Sequence, residues 1–213
     1  MSFNIIGDIA GNFLTLQALL KKMPVGEPIA IGDLCDRGPR SKEVFEFFMN
    51  NGRAIMGNHE HLLLSHYRQD HYYESGMWYY NGGIQTENSF GDGMVPDTMI
   101  NWIETRPKYL VIDNCLISHA FLNSRFVIAD EACDLGYDAF SQQGENSIIW
   151  NRSEPCRRPE YSLQIAGHNS HFGLKWFGDL LGDYAVGIDS SRQKVLTGLH
   201  LPSRKTFQQE YID

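Results

Sequence analysis

The chain has 213 residues and a mass of 24.3 kDa, long enough to bury one sizeable core, and one domain over 1–213 is expected. A formal charge of −8 and a pI near 5.4 argue against nucleic acid or an anionic membrane as partner. Met1 to Ile6 has no basic n-region, no apolar run is long enough to span a bilayer, and Cys35, Cys115, Cys133 and Cys156 are scattered, so reduced thiols in the cytoplasm are expected.

Phe3 to Ile6 reads as a first strand, ending in Gly7-Asp8-Ile9-Ala10-Gly11. Phe13, Leu16, Leu19, Leu20 and Met23 fall at helical spacing, and Pro24 and Gly26 stop that helix. Pro28 to Ile31 is a second strand, followed by Gly32-Asp33-Leu34-Cys35-Asp36-Arg37-Gly38-Pro39. Ser41 is placed to cap a second helix carrying Val44, Phe45, Phe48 and Met49. Arg53 to Met56 is a third strand, ending in Gly57-Asn58-His59-Glu60. Strand, polar turn and helix therefore recur three times, with Asp8, Asp33 and Asn58 at equal intervals. This rhythm predicts βαβ units and parallel strands.

A mostly helical insertion is expected over about 61–107, with a turn at Asn81-Gly82-Gly83 and a short helix from Pro96 to Arg106. Lys108 to Ile112 and Cys115 to Ser118 predict a hairpin around Asp113-Asn114, leading to His119. The polar stretch Gln142 to Asn146 precedes Ile148 to Arg152. Ser162 to Ala166 reads as a strand delivering Gly167-His168-Asn169. Gly178 to Asp183 reads as a flexible loop. The alternating segments Tyr184 to Ile188, Lys194 to Leu201 and Phe207 to Ile212 predict an antiparallel meander.

Each strand end thus delivers a potential metal ligand: Asp8, Asp33, Asn58, His119 and His168. Oxygen donors mixed with imidazole suit manganese, iron or zinc, and a central carboxylate such as Asp33 can bridge two ions. Two such ions can clamp a phosphoryl group and activate water for in-line attack. Arg37 offers a planar fork for phosphate oxygens. His61, His66 and His71 read as packing or surface residues, since their spacing does not align them on one helical face. Trp78, Tyr79 and Tyr80 read first as packing and second as a stacking surface for substrate; Arg157 and Arg158 read as solvated.

The three opening turns resemble the signature motifs of the calcineurin-like metallophosphoesterases, in the phosphoprotein-phosphatase branch whose pattern is GDxHG, GDxxDRG and GNHE. Ser118-His119-Ala120 and Gly167-His168-Asn169 resemble that family's later histidine turns. Trp78 to Gly83, Trp150-Asn151-Arg152 and Ile188-Asp189-Ser190 are similar to features of its small bacterial and phage Ser/Thr protein phosphatases and symmetrical diadenosine tetraphosphatases. The resemblance implies an α/β fold with a central β-sandwich flanked by helices in four layers. It implies two divalent metal ions, manganese first, held by Asp8, Asp33, Asn58, His119 and His168. It also implies His59 as the proton donor, Asp36 as its partner, and Arg37, Arg152 and Asn58 as phosphate contacts.

One departure stands out: the family's first motif has a ligand histidine where this chain has Ala10. This implies a first metal site that is weak, vacant or completed by another residue, with His171 and Asn12 as candidates. A natural variation is favoured over an engineered one. The expected activity is hydrolysis of phosphomonoesters, on phosphoprotein or a small phosphate. A dinucleoside polyphosphate hydrolase is the first alternative, and a catalytically silent phosphate- or metal-binding module is the second.

Overall fold

The computed structural model describes residues 1–69, 76–91, 93–122 and 147–213; His71, Cys133 and the stretch Gln142 to Asn146 lie outside these. In chain order the elements begin with β1 (Phe3–Ile6), α1 (Phe13–Lys22), β2 (Glu27–Ala30), α2 (Ser41–Asn51) and β3 (Arg53–Ala54). Helices α3 (Asn58–Arg68), α4 (Met77–Tyr80), α5 (Gly83–Ser89) and α6 (Asp97–Glu104) follow. The second half holds β4 (Tyr109–Ile112), β5 (Cys115–Ser118), α7 (Ser147–Trp150), β6 (Leu163–Ala166), β7 (Lys175–Asp179), β8 (Gly182–Gly187), β9 (Val195–Leu201) and β10 (Lys205–Glu210).

These strands form two mixed sheets, ordered β10-β9-β1-β2-β3 and β4-β5-β6-β8-β7. The three opening strands pair in parallel, as their alternation with helices predicts. The sheets share one apolar layer: Ile5, Ile29 and Leu199 of the first pack with Ile117, Ile165 and Val186 of the second, all buried. The outer face of the first sheet takes the helices, where Leu16, Leu19, Val44, Phe45, Leu63 and Ile103 close over Ile6, Ala30 and Ala54. The outer face of the second is covered in part by Ile148 and Ile149 of α7 against Leu116. Because successive side chains alternate faces and both faces are covered, the buried strands are mainly apolar on both sides, with Asn4, Gln164 and Thr197 as buried polar exceptions. That places the chemistry in the turns beyond the C-terminal ends of β1, β2, β3, β5 and β6.

The tail departs from the predicted meander. β8 belongs to the second sheet, parallel to β6, whereas β9 and β10 turn into the first sheet, where β9 runs antiparallel to β1. Gly178 to Asp183 is not a loose loop but the tip of a β7–β8 hairpin, paired from Asp179↔Gly182 inward. Its tip is exposed, with the apolar side chains of Leu180 and Leu181 in solvent. The β4–β5 hairpin turns on Asp113 and Asn114, both in the left-handed region that suits a two-residue turn. Ser41 begins α2 but does not cap it, because its hydroxyl is taken by the Asp36 backbone N–H and by Thr86. Among the described residues no helix is long and apolar enough to cross a membrane. Cys35, Cys115 and Cys156 carry free thiols.

Candidate active site

The first two polar turns lock into each other through the backbone. Ala10 and Gly11 N–H groups donate to the Asp33 and Leu34 carbonyls, and Gly38 and Arg40 N–H groups donate back to Ala10 and Gly11. Ala10, Asp33, Asp36, Arg37 and His168 all hold left-handed φ values, a strained conformation that persists only where surrounding contacts over-determine it. Much of that determination comes from Glu60, fully buried at the start of α3. Its Oε2 accepts the N–H groups of Asp33 (2.8 Å) and Gly57 (2.9 Å), and its Oε1 accepts that of Leu34 (2.8 Å). Burial and the nearby Asp33 charge push its pKa up to about 7 against these donors.

Around this frame the ligand-type side chains converge. Asp8, Asp33 and His119 offer atoms within 4.8 Å of one another, all buried. Asn58 Oδ1 lies 2.9 Å from His119 Nε2 and 2.9 Å from His168 Nδ1, and His119 Nε2 lies 3.2 Å from Asp33 Oδ1. His119 Nδ1 sits 2.8 Å from the Ile31 carbonyl, an acceptor only, so the proton of the neutral ring belongs there and Nε2 keeps its lone pair. A nitrogen lone pair, an amide oxygen and a carboxylate oxygen then face one another without a proton to share. This is a donor set that a divalent cation fits, and the outward hydrogen bond to Ile31 orients the ring as ligand histidines require.

The electrostatics agree. Burial, then Asp189, then Asp33 drive the Asp8 pKa well above the ordinary carboxylate value. Asp33 goes the other way, to about 2: burial opposes its charge, but His119, His59, His168 and Arg37 outweigh it. Burial and the neighbouring His119 hold His168 well below the usual imidazole range. A depressed imidazole such as His168 beside crowded carboxylates is what an added cation would exploit. Gly167 leaves room for this packing, since a Cβ there would stand 2.1 Å from Asp8 Oδ1. Gly167→Ala is expected to displace Asp8, cost about 1–3 kcal/mol of stability by overpacking, and lower manganese affinity; calorimetric titration and urea unfolding would measure both.

Beside the ligand set lies a second group. His59 Nδ1 is 2.6 Å from Asp36 Oδ2, and Asp36, fully buried, also accepts the Trp78 indole N–H (3.0 Å) and the Thr86 hydroxyl (2.7 Å). Burial opposes a charge on His59, but Asp33 and Asp36 outweigh it and hold its pKa above the ordinary value. Arg37 Nη2 donates to His59 Nε2 at 2.7 Å. Arg152 is exposed at the rim, close enough to His168 to act on its charge.

The profile of the calcineurin-like phosphoesterases matches residues 1–187. The chain belongs to that family. Among its relatives is the symmetrical bis(5'-nucleosyl)-tetraphosphatase of Erwinia tasmaniensis, 32% identical over 146 residues, or 62% of this chain and 49% of the relative. The match thus spans about half the length of that curated relative. Among solved structures, one described as a candidate diadenosine tetraphosphatase superposes with a TM-score of 0.69 at 19% identity, covering 100% of this chain and 95% of the other. A cold-active protein-tyrosine phosphatase of a psychrophilic Shewanella species gives 0.63 at 16%, covering 99% and 78%. At those identities the likeness is one of fold, the α/β arrangement with two mixed sheets.

Some side chains sit elsewhere than the sequence suggests. His171 is exposed and accepts a hydrogen bond from Arg192, away from the cluster around Asp33. The Asn12 amide is spent on the Ile9 and Ala10 carbonyls. Trp78 packs in the helical core, as its first reading has it, and its N–H in addition holds Asp36, so it offers no face to substrate. Arg157 grips Asp179 through two hydrogen bonds of 2.6 and 2.7 Å on the far hairpin. Glu60, Thr86 and Asp189 were not given roles from the sequence. The glutamate three residues after Gly57 does have capping-box spacing, a signal that could have marked it.

Proposed function

We propose that this chain is a cytoplasmic, metal-dependent hydrolase of phosphate esters, with phosphomonoesters as its first substrate class. The observation that carries the reading is the His59–Asp36 pair set against Asp33 and Arg37 at the edge of a donor set suited to divalent cations. Asp8, Asp33, Asn58, His119 and His168 would hold two such ions, manganese being the best match to mixed oxygen and imidazole donors. When bound, the ions supply phosphoryl polarisation and an activated water for in-line attack.

The remaining chemistry belongs to the side chains. Arg37 and Arg152 present guanidinium forks to the equatorial oxygens, where negative charge accumulates during phosphoryl transfer. In the arrangement without substrate, Arg37 donates to His59 Nε2, so that nitrogen is an acceptor and the ring proton lies at Nδ1 toward Asp36. A phosphate that draws Arg37 onto its own oxygens releases Nε2 to take a proton. Asp33 and Asp36 favour the doubly protonated ring, which then gives the Nε2 proton to the leaving oxygen.

The test is p-nitrophenyl phosphate turnover with added manganese, with bound metal counted on the same sample. Turnover is expected, with loss on chelation and recovery on adding manganese back. A chain that binds metal yet never turns over would instead be a silent binding module. A second reading, hydrolysis of dinucleoside polyphosphates, is favoured by the tetraphosphatase name of the relative. Rates on a phosphopeptide and on diadenosine tetraphosphate separate the two.

A further inference from the structure

Beside Ala10 the molecule opens a cavity of about 490 Å³, walled by the turn that carries Arg37, the turn from Ser191 to Lys194, and Tyr211. That volume lies within the roughly 300–1,000 Å³ of small-molecule sites. We propose that this cavity is a second anion subsite, which takes the further phosphates of a polyphosphate substrate whose reacting phosphate lies at the Asp33 centre. Only the naming of its occupant as substrate rests on the hydrolase reading above.

Charge is the first argument. Arg37, Arg192 and Lys194 all line the cavity, in a chain whose formal charge is −8. Among the described residues none of the three is ion-paired: Arg37 and Arg192 donate to the rings of His59 and His171, and Lys194 Nζ stands 5.8 Å from the centre of the Tyr211 ring. The carboxylate that lines the cavity, Asp213, is already engaged. It caps α1, accepting the Leu14 and Thr15 N–H groups at 3.0 and 2.9 Å and the Thr15 hydroxyl at 2.8 Å. Three cations gathered around one opening repel each other, and a multiply charged anion relieves that repulsion.

Position is the second argument. Arg37 belongs to both places, with its guanidinium on His59 and its residue in the cavity wall, so adjacent phosphates of one chain can share it. Ala10, the residue two positions after Asp8, contributes only a methyl group to the wall. The Tyr211 hydroxyl is buried in the same wall with no hydrogen-bond partner among the described residues, a polar group awaiting one. Burial first, then Asp8 and Asp189, raise its pKa while Arg37 opposes them, so its hydroxyl is within electrostatic reach of both the carboxylates and the arginine.

The test is calorimetric titration of the full chain, in magnesium buffer, with the methylene-bridged analogue of tripolyphosphate, which cannot be cleaved, and with inorganic phosphate. Wild type is expected to bind the analogue at least tenfold tighter than phosphate. The Arg192→Ala/Lys194→Ala double variant should lose most of that preference, and Lys194→Glu alone should lose part of it, with circular dichroism confirming the fold of each. Equal affinities for the two ligands in wild type, or an unchanged preference in the double variant, would overturn the proposal, as would binding of neither. Because the readout needs no turnover, it stands apart from the hydrolase reading. A chain that prefers the analogue but hydrolyses nothing keeps the subsite and loses the activity.

Discussion

Replacing His59 by Asn is expected to lower kcat by about 10²–10⁴ on a substrate whose leaving group is a poor one, such as an alkyl phosphate. The loss should be far smaller on p-nitrophenyl phosphate, whose leaving group departs readily as an anion and needs little help from a proton donor. The asymmetry follows from where His59 sits. Its Nδ1 is held by Asp36 at 2.6 Å, and Asp36 is itself fixed by Trp78 and Thr86, so Nε2 is the nitrogen that delivers a proton once Arg37 turns from it to the phosphate. Asp36→Asn should produce a weaker form of the same asymmetry, since an amide still hydrogen-bonds the ring without favouring its charge. Steady-state kinetics on both substrates is the measurement, with near-ultraviolet circular dichroism as the check on folding. Equal losses on the two substrates would assign His59 to positioning the phosphate rather than to proton transfer.

Glu60→Ala should be the most damaging single change to stability, about 3–9 kcal/mol. Three buried backbone N–H groups, those of Asp33, Leu34 and Gly57, lose their acceptor at once, and each unsatisfied donor costs about 1–3 kcal/mol. The Cys35 thiol, 3.5 Å from Oε1, loses its partner as well. The effect reaches the site because these donors fix the turn that aims Asp33 in a left-handed conformation. Urea unfolding would show a lower midpoint with an unchanged slope, and manganese titration of the folded fraction should show weakened binding. A loss below about 1 kcal/mol would mean that water or the backbone replaces the carboxylate, and that the turn is held by other contacts. Glu60→Gln, which keeps one carbonyl acceptor, should fall between the two.

The residues of both experiments were visible in the sequence to different degrees. That Asp8, Asp33, Asp36, Asn58 and His59 gather in one place could be read because a polar turn after each apolar strand places its side chains at one sheet edge. The parallel pairing of the first three strands was legible for a similar local reason, the repeated strand–turn–helix rhythm. Helix α1 announced itself through its apolar spacing, but its cap did not: Asn12 is turned back on its own loop, and Asp213 arrives from the far end of the chain.

What sequence alone determined is therefore the inventory of chemical groups and the order in which strands deliver them. Tertiary structure decided which groups meet. It set Trp78 and Thr86 on Asp36, Glu60 beneath two turns, Arg192 and Lys194 beside Ala10, and β8 in a different sheet from β9. The physical reason is the same in each case. Those contacts join segments far apart in the chain, and their free energy comes from burial and hydrogen bonds that exist only once two sheets have stacked and strand register has been set.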